Sequence, residues 1–392
     1  MPTGAPQHPG FEPPGRRIGV LSTYPPSMCG LATFATALEN ALTRAGDRVT
    51  GIAINDGREA GSCVLPLRHE LVNGSPVSVR ETAQLLSQGD VAIIQHEYGI
   101  YGGADGQEVI DVLLALAVPA IVILHTVPSE PSAHQRSVLE TVSDLAARVV
   151  VMTDSAGIRL TSGYAVDASK VVVIPHGAST AAAAHPAPRA VGAPAHLLTW
   201  GLLGPGKGIE HVIRALASLE DLRPRVRYTV AGATHPKVLA RDGDAYRESL
   251  VAGARRAGVA RWVTFDDTYR EVPELMRFVS SASLVVLPYD SRDQATSGVL
   301  VDAIAAGRPV IATAFPHAVE LLSSGAGIIV PHRDPRALAA AIRAAVTDPE
   351  WLEAMAARAR EIAPSLSWDA VARQYQDLCD ELAPAAVVPA HD

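Results

Sequence analysis

The stretch from Ala282 to Thr313 constrains the fold most tightly. An apolar run, Ala282-Ser283-Leu284-Val285-Val286-Leu287-Pro288, leads into a polar loop. Ser297-Gly298 then opens a helix with apolar positions at Val299, Leu300, Ala303, Ile304 and Ala306. Gly307 stops that helix, and Val310-Ile311-Ala312 begins the next apolar run. Short runs that are apolar throughout read as strands buried on both faces of a parallel sheet. The unit is therefore strand, loop, helix, strand, with free backbone N–H groups at the loop–helix junction. That junction suits a phosphate, because a helix N-terminus is electropositive and Gly298 lets a ligand approach the backbone.

The same alternation runs through most of the 392 residues, twice over. Residues 1–16 hold five prolines and three glycines and read as a disordered tail. Strands are predicted at Arg17–Ser22, Arg48–Ala53, Val91–Gln95, Ala120–Leu124, Arg148–Met152 and Lys170–Ile174, with a helix over about Leu31–Ala45. Gly30, at the start of that helix, either brings backbone N–H groups to a diphosphate or serves the turn alone. Ligands in such sheets bind just past the carboxyl ends of the strands. His96-Glu97-Tyr98-Gly99 and His125-Thr126 follow two consecutive strands. Either histidine alone reads as a loop cap, but the pair marks a site. The polar loop Pro128–Arg136, with Glu130 and His134, reads as a lid on the acceptor side, and Pro175-His176-Gly177 closes the last strand of this half.

The first domain is thus set at residues 17–186 and the linker at 187–195, within an alanine-, proline- and serine-rich stretch that begins at 178. Strand–helix alternation then restarts for a second domain, residues 196–366, with strands at His196–Trp200, Val226–Ala231, Val263–Phe265 and Gly327–Val330 around the opening stretch. Ser367-Trp368 begins a last helix to about Leu382, and residues 383–392 read as a tail. The fold class is α/β, as two tandem doubly wound domains.

Composition excludes several functions. The net charge of −8 and an aromatic content of 5% give neither a basic patch nor stacking platforms for nucleic acid. Three scattered cysteines make no disulfide framework and no zinc spacing, which suits a reducing cytosol. With no long apolar stretch, a cytoplasmic chain is expected, with peripheral contact to the inner face of a membrane left open.

Three readings compete for Gly201–Gly208. As a Walker A loop, Gly201, Gly206 and Lys207 match, but Gly208 stands where the magnesium-binding Ser or Thr belongs. As a dinucleotide fingerprint, the glycine spacing is wrong and no acidic residue ends the next strand. The preferred reading is a diphosphate clamp, with Lys207 as the point charge and Gly204 among the glycines that allow close approach. Asp242-Gly243-Asp244 has a metal-chelating look, but its polar, glycine-containing setting before a helix favours a capping turn, so no metal and no cofactor are expected.

Together, the segments Tyr24–Phe34, Gln95–Gly99, His125-Thr126, Pro175-His176-Gly177, Gly201–Gly208 and Gln294–Thr313 resemble family 4 of the retaining glycosyltransferases, in a bacterial branch. The resemblance covers nearly all of residues 17–382 and implies the GT-B fold, with a cleft between two Rossmann-like domains and the last helix returning to the first. It implies a hexose, of mannose or glucose type, moved from a nucleoside-diphosphate sugar to a glycan, lipid-linked or small-molecule acceptor. The family carries two acidic residues separated by seven others. Gln294 and Asp302 occupy those positions here, so the resemblance assigns Gln294 to the sugar and Asp302 to the ribose. Thr296, Ser297 and Gly298 complete the donor side. His125, or His96, matches the family's active-site histidine, and Glu97, Glu130, His134 and His176 fall to the acceptor side. Leu202 stands where an arginine usually joins the lysine. A GT-B sugar-nucleotide epimerase and a catalytically weak nucleotide-sugar-binding subunit are the alternatives.

Overall fold

A computed structural model describes residues 15–27, 29–55, 69–179, 193–268 and 270–384. Most of the stretch read as a linker, and the tails at 1–14 and 385–392, lie outside these residues. The first sheet contains Arg17–Ser22 (β1), Arg48–Asn55 (β2), Glu70–Val72 (β3), Val91–His96 (β4), Ala120–Leu124 (β5), Arg148–Val151 (β6) and Val171–Val173 (β7). Its strands are all parallel, in the order β3-β2-β1-β4-β5-β6-β7. The second contains Ala195–Trp200 (β8), Val226–Ala231 (β9), Val263–Asp266 (β10), Leu284–Leu287 (β11), Val310–Thr313 (β12) and Gly327–Val330 (β13). These are also all parallel, in the order β10-β9-β8-β11-β12-β13.

The order reverses between β1 and β4 in one sheet and between β8 and β11 in the other. At such a switch point the loops leaving adjacent strands run in opposite directions and open a crevice. The Gly30 helix leaves β1, the glycine loop leaves β8, and the Tyr289–Ser297 loop leaves β11. The central strands β4, β5 and β11 are buried at every position, as parallel strands covered on both faces must be.

The last helix, Trp368–Leu382, packs on the first domain. Trp368, Val371, Tyr375 and Leu378 share a core with Ile18, Phe34 and Leu38. Ser367 caps the helix by accepting from the Ala370 N–H at 3.2 Å.

Two expectations are corrected. The tail reading runs too far, because the Arg16 N–H donates to Asp47 at 3.2 Å and its guanidinium pairs with Asp47 and Asp380. The Pro128–Arg136 lid is cut short by a helix, Ala133–Leu145, with Ser132 and Gln135 in a reciprocal capping box. That signature, a serine followed three residues on by glutamine, stands in the sequence.

Candidate active site

The glycine loop after β8 is shaped by contact with the β11 loop. Gly208 has φ +66°, and a Cβ there would stand 1.8 Å from the Pro288 carbonyl oxygen, so only glycine fits. The Asp290 N–H donates to the Gly206 carbonyl at 2.9 Å, tying the two loops together. Gly201 faces Val299 on the first turn of the Gly298–Ala305 helix. The clamp residues and the helix N-terminus therefore meet at the carboxyl ends of neighbouring strands.

Lys207 is half-buried, with its ammonium 4.5 Å from the centre of the Tyr289 ring, which stacks on Phe315. No carboxylate pairs with Lys207 among the described residues, and burial lowers its pKa. A ring face stabilises a cation by about 0.5–2 kcal/mol, which holds the ammonium in place without neutralising it. Asp302, one turn into the Gly298 helix, is the counterpart. Its carboxyl makes no hydrogen bond among the described residues, and desolvation pushes its pKa up to about 7. A half-buried cation and a desolvated, half-buried carboxyl without protein partners are costly unless a ligand supplies them.

The Ser297 hydroxyl caps the helix by accepting from the Leu300 N–H at 3.3 Å, and the Ser297 carbonyl accepts from Val301 at 3.2 Å. Ser297's own N–H donates to Nδ1 of His317 at 2.8 Å, so it is not free for a phosphate as the sequence reading expected. Helix geometry leaves the N–H groups of Gly298 and Val299 for that role. Thr296 and Gln294 are half-buried, and the Gln294 amide makes no hydrogen bond among the described residues.

His317 was missed from sequence. The only signal was a histidine four residues past the end of β12. It is buried, and desolvation followed by the nearby His176 lowers its pKa to about 3. Because Nδ1 accepts, the ring proton sits on Nε2.

The two strand-end histidines separate. His125 is half-buried, and its Nε2 pairs with the Gln95 amide oxygen. Nε2 therefore carries the proton and Nδ1 is bare. Burial first, then His176 and His96, lower its pKa to about 3, which keeps it a neutral hydrogen-bonding group. His96 does not reach the cleft surface. It is fully buried behind Tyr98, with both ring nitrogens unpartnered and its pKa lowered by burial to about 4.

The acceptor-side residues scatter. Glu97 accepts from the Thr126 hydroxyl at 2.6 Å and from the Tyr98 N–H at 3.0 Å, so it shapes the loop. His134 is tied to Asp105 at 2.8 Å and Gln107 at 2.9 Å, and Glu130 is exposed. His176 lies instead against the start of the Gly298 helix. Its Nε2 is 3.0 Å from where a Gly298 Cβ would stand, while its Nδ1 donates to the Gly177 carbonyl at 2.6 Å. Phe34 stands edge-on to His125, His176 and Trp368 at 5.1, 5.0 and 4.9 Å, so the returning helix braces this histidine pair. Gly30 opens its helix into free space, with Cys29 as the cap.

Asp242 pairs with Arg241 at 2.7 Å, and Asp244 accepts from the Thr234 hydroxyl. Among the described residues, only Glu210, His211 and Asp290 group ligand atoms within 4.8 Å. The Arg333 guanidinium already stands 3.3 Å from Asp290, and the Tyr246 hydroxyl donates to Glu210 at 2.9 Å. No described helix is long and apolar enough to cross a membrane.

Two family models match the chain in succession: "Glycosyltransferase Family 4" over residues 28–182 and "Glycosyl transferases group 1" over residues 184–362. A D-inositol 3-phosphate glycosyltransferase of Kineococcus radiotolerans is 32% identical over 260 residues, 59% of this chain and 57% of that protein. A glycogen synthase of Mycobacterium tuberculosis is 29% identical over 206 residues, 52% of this chain and 47% of that protein. The chain thus spans about half the length of the curated relatives it matches. Anabaena Alr3699/HepE, solved in complex with UDP, superposes with a TM-score of 0.74 at 18% identity, covering 93% of this chain and all of that one. A sucrose-phosphate synthase from Thermosynechococcus elongatus does so with a TM-score of 0.73 at 20% identity, covering 94% of this chain and 99% of that one. The fold is GT-B.

Proposed function

Because the chain belongs to the group 1, family 4 glycosyltransferases, we propose that it transfers a hexose from a nucleoside-diphosphate sugar to an acceptor hydroxyl with retention and without a metal. The observation that carries this reading is the unpartnered, half-buried pair Lys207 and Asp302, the first on the glycine loop that meets the Gly298 helix start and the second one turn into that helix. Lys207 and the N–H groups of Gly298 and Val299 hold the diphosphate, and Asp302 accepts from the ribose hydroxyls. As the bond from the sugar C1 to the phosphate oxygen breaks, these donors stabilise the negative charge left on the diphosphate. Gln294 hydrogen-bonds the sugar, and neutral His125 accepts or donates beside it. The acceptor oxygen bonds to C1 on the face the diphosphate leaves, and its proton passes to the departing phosphate oxygen. No carboxylate nucleophile is needed.

UDP or UDP-glucose is bound in solved structures of similar fold, and the named relatives act on D-inositol 3-phosphate or make glycogen, which supports a glucose-type donor. The acceptor class is a glycan, a lipid-linked glycan or a small polyol, reached in the cytoplasm, with peripheral membrane contact in the lipid-linked case. The test is release of nucleoside diphosphate from a panel of nucleotide sugars with these acceptors, with and without EDTA, and the anomeric configuration of the product by NMR. An inverted product, or activity abolished by EDTA, refutes the mechanism. Gln294 and Leu202 favour one second reading, a nucleotide-sugar-binding subunit, which predicts binding without release.

A further inference from the structure

The loop that carries Gln294 belongs in sequence to the second domain, yet much of what holds it is in the first. Ala295 is buried in the first domain's core, and its carbonyl accepts from the Thr153 hydroxyl at 3.2 Å. Thr153, 1% exposed, also caps its own helix, Asp154–Gly163, by accepting from the Ala156 N–H at 3.1 Å. The next N–H groups of that helix, those of Asp154 and Ser155, donate to the two carboxylate oxygens of Glu320 at 2.9 and 3.0 Å. Glu320 lies on the second domain's Pro316–Leu322 helix, the helix whose His317 holds the Ser297 N–H. The contacts close a ring: Thr153 grips Ala295, His317 grips Ser297, and Glu320 ties the His317 helix back to the Thr153 helix. Arg159 adds an ion pair to Asp293 at 3.8 Å, but that carboxylate is exposed and the pair counts for little.

A carboxylate accepting two helix N-terminal N–H groups satisfies two orphan donors and meets the positive end of the helix dipole. Glu320 supplies this cap across the domain boundary. Opening the domains therefore strips the Asp154 and Ser155 N–H groups of their acceptor, leaves the helix with its Thr153 cap alone, and releases the Gln294 loop in one step.

We propose that Thr153 and Glu320 are positioning residues that hold Gln294 at the cleft by closing this ring across the two domains. The role of Gln294 rests on the transferase reading, but the ring does not. Hydrogen–deuterium exchange on the full chain tests it without substrate. Glu320→Ala and Glu320→Gln should speed exchange in the segments 154–156 and 293–297 by about tenfold. Thr153→Val should do so at 293–297, and Thr153→Ser should restore protection. Unchanged exchange at 293–297 in both Thr153→Val and Glu320→Ala overturns the proposal. The kinetic arm measures nucleoside-diphosphate release. Thr153→Val should lower kcat/KM for the donor, and in a Gln294→Ala background it should cost nothing further. An undiminished additive loss there overturns the positioning role. Absence of turnover in the wild-type chain, with faster exchange in the variants, would instead strike the transferase reading and leave the ring standing.

Discussion

Donor affinity should rise about tenfold between pH 6 and pH 8 through Asp302. Desolvation without a compensating partner raises its carboxyl from 3.8 to about 7. In the free protein the group is therefore largely neutral at pH 6 and largely ionised at pH 8. Ribose hydroxyls donate best to the ionised form, so affinity follows the ionised fraction. That fraction goes from roughly one in eleven to ten in eleven, a tenfold gain worth about 1.4 kcal/mol. His125, His176 and His317, at about 3, 4 and 3, are already neutral throughout and do not contribute. The sign for stability is opposite. The folded pKa is raised, so the native state keeps a proton that the unfolded chain loses, and stability of the free protein falls as pH rises from about 4 to about 7. Titration calorimetry with a nucleotide sugar, which has no secondary phosphate ionisation in this range, reads the effect at pH 6, 7 and 8. Asp302→Asn should bind weakly with no pH slope, and its melting temperature should no longer fall over the lower window. A flat wild-type profile, or an Asn variant that keeps the slope, refutes the reasoning.

Lys207→Ala removes one charge-assisted contact and should cost about 1.5–3 kcal/mol of donor binding, seen as a raised Kd. Gly298→Ala sets a methyl 3.0 Å from His176 Nε2, and that ring is held by Gly177 and hemmed by Phe34 and Trp368, so donor affinity should drop and stability should fall by about 1–3 kcal/mol, seen as a lower Tm. Asp242→Ala/Asp244→Ala should leave transfer unchanged with or without EDTA, because Asp242 faces Arg241 and Asp244 faces Thr234. Metal-dependent loss in that double variant would overturn the metal-free reading.

Much of this site was legible because its elements are local. A buried strand, a polar loop and a Ser-Gly helix start within one stretch are enough to place Gly298 and Asp302, and the glycine spacing around Lys207 does the same for the clamp. What sequence could not give is contact between distant segments. The Ser297 N–H reads as free in sequence, but His317, twenty residues on, accepts from it. His96 and His125 look alike past consecutive strands, but one is sealed behind Tyr98 and the other is half-open beside Phe34. His176 reads as an acceptor-side residue from its strand, and the packing of the two domains brings it to Gly298. The three-residue strand β3 has too few positions for any periodicity to declare it.

A nucleoside diphosphate held by Lys207 and Asp302 is central to the proposed transfer, and a thermal-shift panel tests for it most directly. UDP, GDP, ADP and dTDP, with their common sugars, would be titrated against the wild-type chain and the Lys207→Ala and Asp302→Asn variants in EDTA. A concentration-dependent rise in Tm with one base, reduced in both variants, is the predicted result. No rise with any nucleotide, or a rise that both variants keep in full, would contradict it.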